Sequence, residues 1–390
     1  MVELSDGHVD KYRLDATKSR ARSFAVLFPD SSWAGGGDKH PLKGIDFQRC
    51  GPRLLPIFRR KHAVTTRLQH CLCLIVFLPV LIATEFAYAN PAVIPESVAL
   101  AKAVEIADVH MHVLDKSADW HKTRMDRNNV KWGGGVGPAV AGGGGGWPKP
   151  DEMTKVLGTR YFFALGQDEF SRVFFSGGPA GLADPSSIAF VEMFAVADQM
   201  LSKREAYGFG ELHIDNSKSF SSHRFARTIQ FDNPVVRKMF ELADKRQAVL
   251  QFHMQADNPT NLEALKRYLR EFPKAKVVLS HSLPFVSLSL LKDLLSGYQN
   301  VFVELSNRGS TLGTRELGQA YNRSGPKAGW LNTIEEFPNR FMLGSDAYGA
   351  NENRYDDVIS EIREGLLPYL KPETLKKVAH QNAVAVFGLR

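Results

Sequence analysis

Short apolar runs alternate with longer stretches of helical period across residues 104–390. Apolar runs predict strands at residues 105–112, 160–165, 208–214, 248–253, 276–281, 300–305 and 340–344. Apolar positions recurring every three or four residues predict helices at 188–206, 234–246, 261–272, 288–296, 355–369 and 373–387. The runs at 277–280 and 341–344 show no polar alternation, as strands covered on both faces require. Repeated strand–helix units predict an α/β fold built on a parallel sheet. One further strand is expected between His112 and Arg160, but no run there marks its position. Residues 133–146 are too rich in glycine for a helix or a central strand, because glycine loses the most backbone entropy on ordering. That stretch is expected to be a loop, either beside the mouth of a site or as a low-complexity insertion.

The first 89 residues are patterned differently. Residues 71–83 form an apolar run without a charge. It is too short to span a bilayer, which takes about 20 residues. Arg67 precedes it, with Arg59, Arg60 and Lys61 further upstream, and Ala87-Tyr88-Ala89 follows it. A basic region, a short apolar region and a small-x-small site in that order predict a secretory signal peptide over 64–89. Residues 1–63 carry scattered Gly, Pro and Arg with no sustained period, and are expected to be unstructured. No Met lies between Met1 and Met111. A non-Met start near Val64 or Leu68 is therefore expected, with residues 1–63 an over-extended reading.

This division changes the meaning of the composition. The 390 residues carry 49 Lys+Arg against 42 Asp+Glu, a net charge of +7. Such a balance points first to a nucleic acid or an anionic surface. Residues 1–89, however, hold 13 basic and 8 acidic residues, leaving 36 against 34 in residues 90–390. The remainder is nearly neutral, so no nucleic-acid partner is expected. Cys50, Cys71 and Cys73 all precede the predicted cut. A cysteine-free remainder suits an oxidising compartment, periplasmic or extracellular. Residues 90–390 are enough for one large α/β domain.

The predicted strands end in chemistry. The first ends in His110 and His112, two residues apart and so on one face of a strand. Glu211, His253, His281 and Asp346 end four others. Buried imidazoles and carboxylates are costly unless paired or bound to metal. One such residue is more often a hydrogen-bonded structural group, but five strand ends in chain order are hard to explain that way. In a βα-barrel these ends converge on one mouth.

The order His-x-His, Glu, His, His, Asp resembles the amidohydrolase superfamily, and within it the amidohydrolase-related (type 2) family. The strand texts at 277–282, 300–306 and 341–347 and the final helix at 380–389 share that resemblance. It implies a (β/α)8 TIM barrel over about residues 104–390 with a divalent metal at the carboxyl ends of the strands. The implied ligands are His110, His112, His253, His281 and Asp346, with Asp346 also handling the proton of an attacking water. Two-metal members often carry a carboxylated Lys on the fourth strand, where this chain has Glu211 in a Gly-Glu context similar to TatD-type hydrolases. With Glu211 as a bridge, two ions fit. Without it, one ion held by His110, His112, His253 and Asp346 leaves His281 as a catalytic acid or electrophile. Imidazole with carboxylate suits Zn²⁺ first, and also Mn²⁺ or Fe²⁺.

The resemblance implies an enzyme acting on a small molecule, with hydrolysis of an amide, ester or lactone expected. Non-oxidative decarboxylation, a TatD-like nuclease activity and a non-catalytic binding protein on the same scaffold are the alternatives. Arg308, Tyr348 and Arg354 follow strand ends and are candidates for substrate binding, the arginines for holding a carboxylate. His213 is expected to hydrogen-bond at the rim. His121, His223 and His380 are expected to be structural or exposed.

Overall fold

Eight parallel strand passages succeed one another, each paired with its predecessor in the chain. The computed structural model describes residues 91–113, 116–137, 150–218, 226–313 and 318–390. The expected extension and signal peptide at 1–89, residues 138–146 of the glycine-rich stretch, and His223 lie outside the described residues.

The strands are β1 (Ile106–Asp108), β2 (Val130–Gly134), β3 (Tyr161–Phe162, resumed as Ala164–Leu165), β4 (Gly208–His213), β5 (Val249–His253), β6 (Lys276–Leu279), β7 (Val301–Glu304) and β8 (Phe341–Met342). Ala107 lies opposite Trp132, Gly133 opposite Tyr161, Ala164 opposite Gly208 and Phe209 opposite Leu250. The succession continues with Leu250 opposite Val277, Leu279 opposite Val303 and Glu304 opposite Met342. A parallel bridge between Asp108 and Leu343 brings β8 against β1. The Val109 N–H donates to the Leu343 carbonyl there at 2.9 Å. The fold is the expected (β/α)8 TIM barrel.

Helices follow each strand and cover the outside. Their starts are written locally. Asn233 caps Pro234–Arg246 by accepting from the Val235 and Val236 N–H groups, and Asn258 caps Pro259–Glu271 through the Asn261 N–H. Proline at the first helical position has no N–H to leave unpaired and a φ already suited to the helix. The helices expected at 234–246 and 288–296 appear as Pro234–Arg246 and Leu288–Gly297. The helix expected to run to Tyr369 stops at Gly365, where any side chain would meet the Asn322 carbonyl.

Side chains along β5 show how the barrel sorts them. Leu250 and Phe252 join the large cluster under the helices, while Val249 joins a smaller one with Ala107, Phe162, Val278 and Met342. Ala383, Val386, Phe387 and Leu389 of the C-terminal segment complete that smaller cluster. The period of two then places Gln251 and His253 on the same face as Val249. The interior is apolar at the amino end of β5 and polar at its carboxyl end.

Two expectations are corrected here. The strand expected between His112 and Arg160 is β2, and its last residues, Gly133 and Gly134, belong to the stretch whose glycine content predicts a loop. A Cβ on Gly134 would stand 1.6 Å from the Phe162 carbonyl oxygen, so the close approach of β3 requires glycine. The first strand was also expected to reach His112, but β1 ends at Asp108. His110 and His112 lie just past it on extended chain, held by Met111 N–H to the Gly134 carbonyl and Asp346 N–H to the His110 carbonyl, at 3.0 and 2.9 Å.

Candidate metal centre

The ends of β1, β4, β5, β6 and β8 bring His110, His112, Glu211, His253, His281 and Asp346 together. All six are buried. Glu211 lies between two sets of imidazoles. Its Oε2 is 3.3 Å from His110 Nε2, 3.8 Å from His112 Nε2 and 3.0 Å from His213 Nε2. Its Oε1 is 3.2 Å from His253 Nδ1 and 3.3 Å from His281 Nε2. Asp346 faces the same space, with Oδ1 3.2 Å from His112 Nε2 and 3.4 Å from His110 Nε2, and Oδ2 3.8 Å from His281 Nε2. His213 is thus drawn in more closely than a rim position implies.

The nitrogens crowd one another as well. His110 Nε2 and His112 Nε2 are 3.2 Å apart, as are His281 Nε2 and His253 Nδ1. Only one nitrogen of each pair can carry a proton toward the other. Lone pairs and carboxylate oxygens therefore converge on one buried space, the donor set a divalent cation takes. Among the described residues, three groups of ligand atoms lie close enough together to hold an ion: His110 with His281 and Asp346, His110 with His112 and Glu211, and Glu211 with His213 and His253. Glu211 belongs to two of them.

A carboxylate beneath the cluster orients two of its rings. Glu304 at the end of β7 is fully buried. Its Oε1 lies 3.0 Å from His110 Nδ1 and accepts the His281 backbone N–H at 2.6 Å. Ser306 Oγ lies 3.0 Å from the same oxygen and 2.7 Å from His281 Nδ1. A carboxylate only accepts, so the neutral His110 ring carries its proton on Nδ1 and turns the Nε2 lone pair to the cluster. Ser306 donates to Glu304 and accepts from His281 Nδ1, which sets the same tautomer there.

Opposing forces act on His110, His281, Glu211 and Asp346. Burial favours the neutral imidazole of His110, but Glu211, Asp346 and Glu304 together hold its pKa well above the usual value. His281 is raised in the same way, against burial, by Glu211, Asp346 and Glu304. Burial favours a protonated Glu211, yet His110 and His213 hold it well below the usual carboxylate range. Asp346 is also lowered, by His110, His112 and His281 against burial. His253 is pushed down to about 4, chiefly by burial.

The three candidates for substrate binding are placed differently. Tyr348 packs its ring edge-on to His112, 5.3 Å between centroids. Burial, then Asp346 and Glu211, push its phenol up, so it stays protonated and can donate. Arg308 is buried under the site. Its Nε donates to the His281 carbonyl at 2.6 Å, its Nη1 to Gly318 at 2.6 Å and its Nη2 to Leu283 at 2.8 Å. Those bonds make it a brace for the chain around His281. Arg354 is exposed and lies 3.9 Å from Asp357. His121 is buried with its Nε2 3.6 Å from Glu352 Oε1, and His380 Nδ1 lies 3.0 Å from the Glu105 carbonyl.

Two site residues were not anticipated. Glu304 ends an apolar strand just as Asp346 follows one, and that strand-end position was the available signal. Asn307, whose side-chain amide donates to Asp346 Oδ2, sits in the loop after β7 with nothing in its surroundings to mark it.

A parallel βα-barrel with histidines and carboxylates gathered at its carboxyl mouth defines a metal-binding barrel protein. Residues 107–389 match the family model described as Amidohydrolase, and the chain belongs to that family. No curated protein matches the chain. Among solved structures it is similar to a probable 2-pyrone-4,6-dicarboxylic acid hydrolase from Acinetobacter baumannii with citric acid bound. The identity is 14% over 73% of this chain and 99% of that one, with a TM-score of 0.45. It is also similar to an amidohydrolase from Burkholderia multivorans with bound zinc, at 15% identity over 73% and 100% of the chains and a TM-score of 0.40. A 2,6-dihydroxybenzoate decarboxylase from Rhizobium aligns at 11% identity over 73% and 99%, with a TM-score of 0.42.

Proposed function

We propose that the protein is a metal-dependent hydrolase that cleaves an amide, ester or lactone bond in a small molecule. The observation carrying this reading is the position of Glu211 and Asp346 among four buried imidazoles, with every facing N···O distance between 3.2 and 3.8 Å. His110, His112, His253, His281, Glu211 and Asp346 would hold the metal, Zn²⁺ first. Glu211 has imidazoles facing each of its oxygens, which suits a carboxylate shared between two ions. A divalent ion in such a site supplies Lewis acidity and lowers the pKa of water to about 7.

The chain's own groups do the rest. Asp346 is held ionised at neutral pH and can take a proton on its carboxylate from an attacking water. It can then return that proton to the departing oxygen or nitrogen. Asn307 donates to Asp346 Oδ2 and so fixes which oxygen is available. The Tyr348 hydroxyl, kept neutral beside His112, would donate to charge developing on a substrate oxygen. Burial of the cluster keeps bulk water from screening these interactions.

Metal analysis and a metal-replete activity screen test the reading. The expected result is bound divalent metal and turnover of at least one lactone, ester or amide after loading with Zn²⁺ or Mn²⁺. Carbon dioxide release from a carboxylic acid without hydrolysis would assign the decarboxylase alternative instead. Protein that binds no metal and gains no activity from either ion would defeat the enzyme reading. We further propose export, on the order of basic region, apolar run and Ala87-Tyr88-Ala89. N-terminal sequencing of the exported protein should begin at Asn90, and a start well before it would overturn the cleavage.

A further inference from the structure

Arg227 and Arg308 are the two buried arginines among the described residues, at 4% and 1% exposure. The guanidinium of Arg308 is satisfied by backbone carbonyls on every nitrogen. That of Arg227 is not. Its Nε and Nη1 are enclosed and make no hydrogen bond among the described residues. Its near neighbours are aromatic faces, with the guanidinium carbon 4.6 Å from the Phe174 centroid and 5.5 Å from that of Phe175. Stacking on a ring attracts the cation but leaves its N–H groups unpaired. A buried charged donor without an acceptor is among the costlier things a fold can retain.

Its position gives the reason. The Arg227 N–H donates to Asn216 Oδ1 at 2.8 Å, and its carbonyl accepts the Asn216 N–H at 3.0 Å. Thr228 bridges to Asp215 beside it. Asp215 and Asn216 follow directly on β4, the strand that carries Glu211 and His213. Arg227 is therefore fixed at the carboxyl mouth, on the loop of the strand that supplies the central carboxylate. Its charge is felt there, because Glu211 favours the cation against burial. Glu211 is already engaged by imidazoles and cannot neutralise it as well. Burial pushes the guanidinium down to about 10, still well above neutral pH, so the cation persists.

We propose that Arg227 binds a carboxylate of the substrate, which makes the substrate class small carboxylic acids carrying a separate hydrolysable bond. The proposal rests on the hydrolase reading of the same mouth and names what that mouth recognises. A planar carboxylate supplies the acceptors the guanidinium lacks, and arginine matches that shape better than lysine. Phe174 and Phe175 flank the cation on its ring side and would flank a flat carbon frame attached to the carboxylate. The carboxylate anchors one end, and the bond to be broken lies toward Glu211 and Asp346.

Calorimetric titration of the metal-loaded full chain tests this with benzoate, glutarate and isophthalate, each against its own amide. At least one carboxylate is expected to bind tenfold or more tighter than its amide, a difference of 1.4 kcal/mol. Arg227→Gln is expected to erase that preference while leaving bound metal at the wild-type level. Arg227→Lys keeps the charge without the planar fork and is expected to retain only part of the preference. That variant decides the matter if the glutamine variant does not fold. No carboxylate preference in the wild type, or an undiminished preference in whichever variant folds, overturns the proposal. The two readings fail separately. Arg227-dependent carboxylate binding without any hydrolysis defeats the hydrolase reading alone, and hydrolysis of uncharged esters unaffected by Arg227→Gln defeats this one alone.

Discussion

Glu304 accepts hydrogen bonds from both sides of the metal cluster, so changing it to glutamine tests whether a carboxylate outside the ligand set shapes the site. Its Oε1 serves His110 Nδ1, the His281 N–H and the Ser306 hydroxyl at 3.0, 2.6 and 3.0 Å. Its Oε2 accepts the Ser306 N–H at 2.6 Å. Glutamine keeps the volume and one acceptor but must turn an NH₂ toward one set of partners. The lesser loss places the amide oxygen at Oε1 and faces the NH₂ toward the Ser306 N–H. One enclosed N–H then loses its acceptor, at a cost of about 1–3 kcal/mol in stability. His110 loses a charged partner on Nδ1, so its Nε2 becomes a weaker and less fixed donor. Removing such outer partners typically lowers metal affinity by about 10–100-fold, or roughly 1.4–2.7 kcal/mol. Competition against a chromophoric chelator measures the affinity, and thermal unfolding of the metal-free protein measures the stability separately. A folded Glu304→Gln protein that held zinc as tightly as the wild type would refute the idea that this carboxylate orients the ligands.

Three further outcomes are expected. Asp346→Asn should abolish turnover yet fold, because Asp346 has φ +48°, a left-handed conformation that asparagine tolerates; wild-type kcat in that variant would remove Asp346 from proton transfer. Gly344→Ala should destabilise the protein by about 1–3 kcal/mol and weaken zinc binding, since a Cβ there stands 2.5 Å from Glu304 Oε2 and 2.7 Å from His110 Cβ; unchanged thermal unfolding would contradict that packing. Metal uptake at neutral pH should release protons and tighten as pH rises, because Glu211, Asp346 and Glu304 outweigh burial and hold protons on His110 and His281 that ligation must displace. Calorimetry in two buffers of different ionisation enthalpy counts the protons, and a count of zero would sink the assignment.

What was legible in the sequence follows from what each part of the chain must satisfy. Strands β4 to β8 are mostly buried and mostly apolar, β5 being interrupted by Gln251, and each ends at or just before a residue whose burial needs a partner. Glu211, His253, His281 and Asp346 stood out for that reason. β2 did not, because the close approach of β3 replaced its last side chains with glycine, and glycine reads locally as loop. Arg308 and Arg227 show the limit in opposite directions. Both are buried arginines near the carboxyl mouth, yet one is satisfied by carbonyls around His281 and the other keeps enclosed donors unpaired. Backbone carbonyls have no sequence signature, so only the folded chain separates a brace from an open donor. Glu304 marks a middle case. Its position at a strand end was visible, but its bonds to rings from β1 and β6 depend on how the barrel curves.

The bridge between Asp108 and Leu343 has a consequence for how the protein matures. His110 and His112 emerge from the first strand and Asp346 from the last, so the chain must be almost complete before these groups can meet. No segment lacking β8 can present them together. His110, His112 and Asp346 would hold an ion across that seam, and such binding would stabilise the folded chain by about 4.1 kcal/mol at a free concentration of 1,000 times Kd. The Val109 and Asp346 amides, which donate across the seam, are thus the places where slowed hydrogen exchange would register that binding.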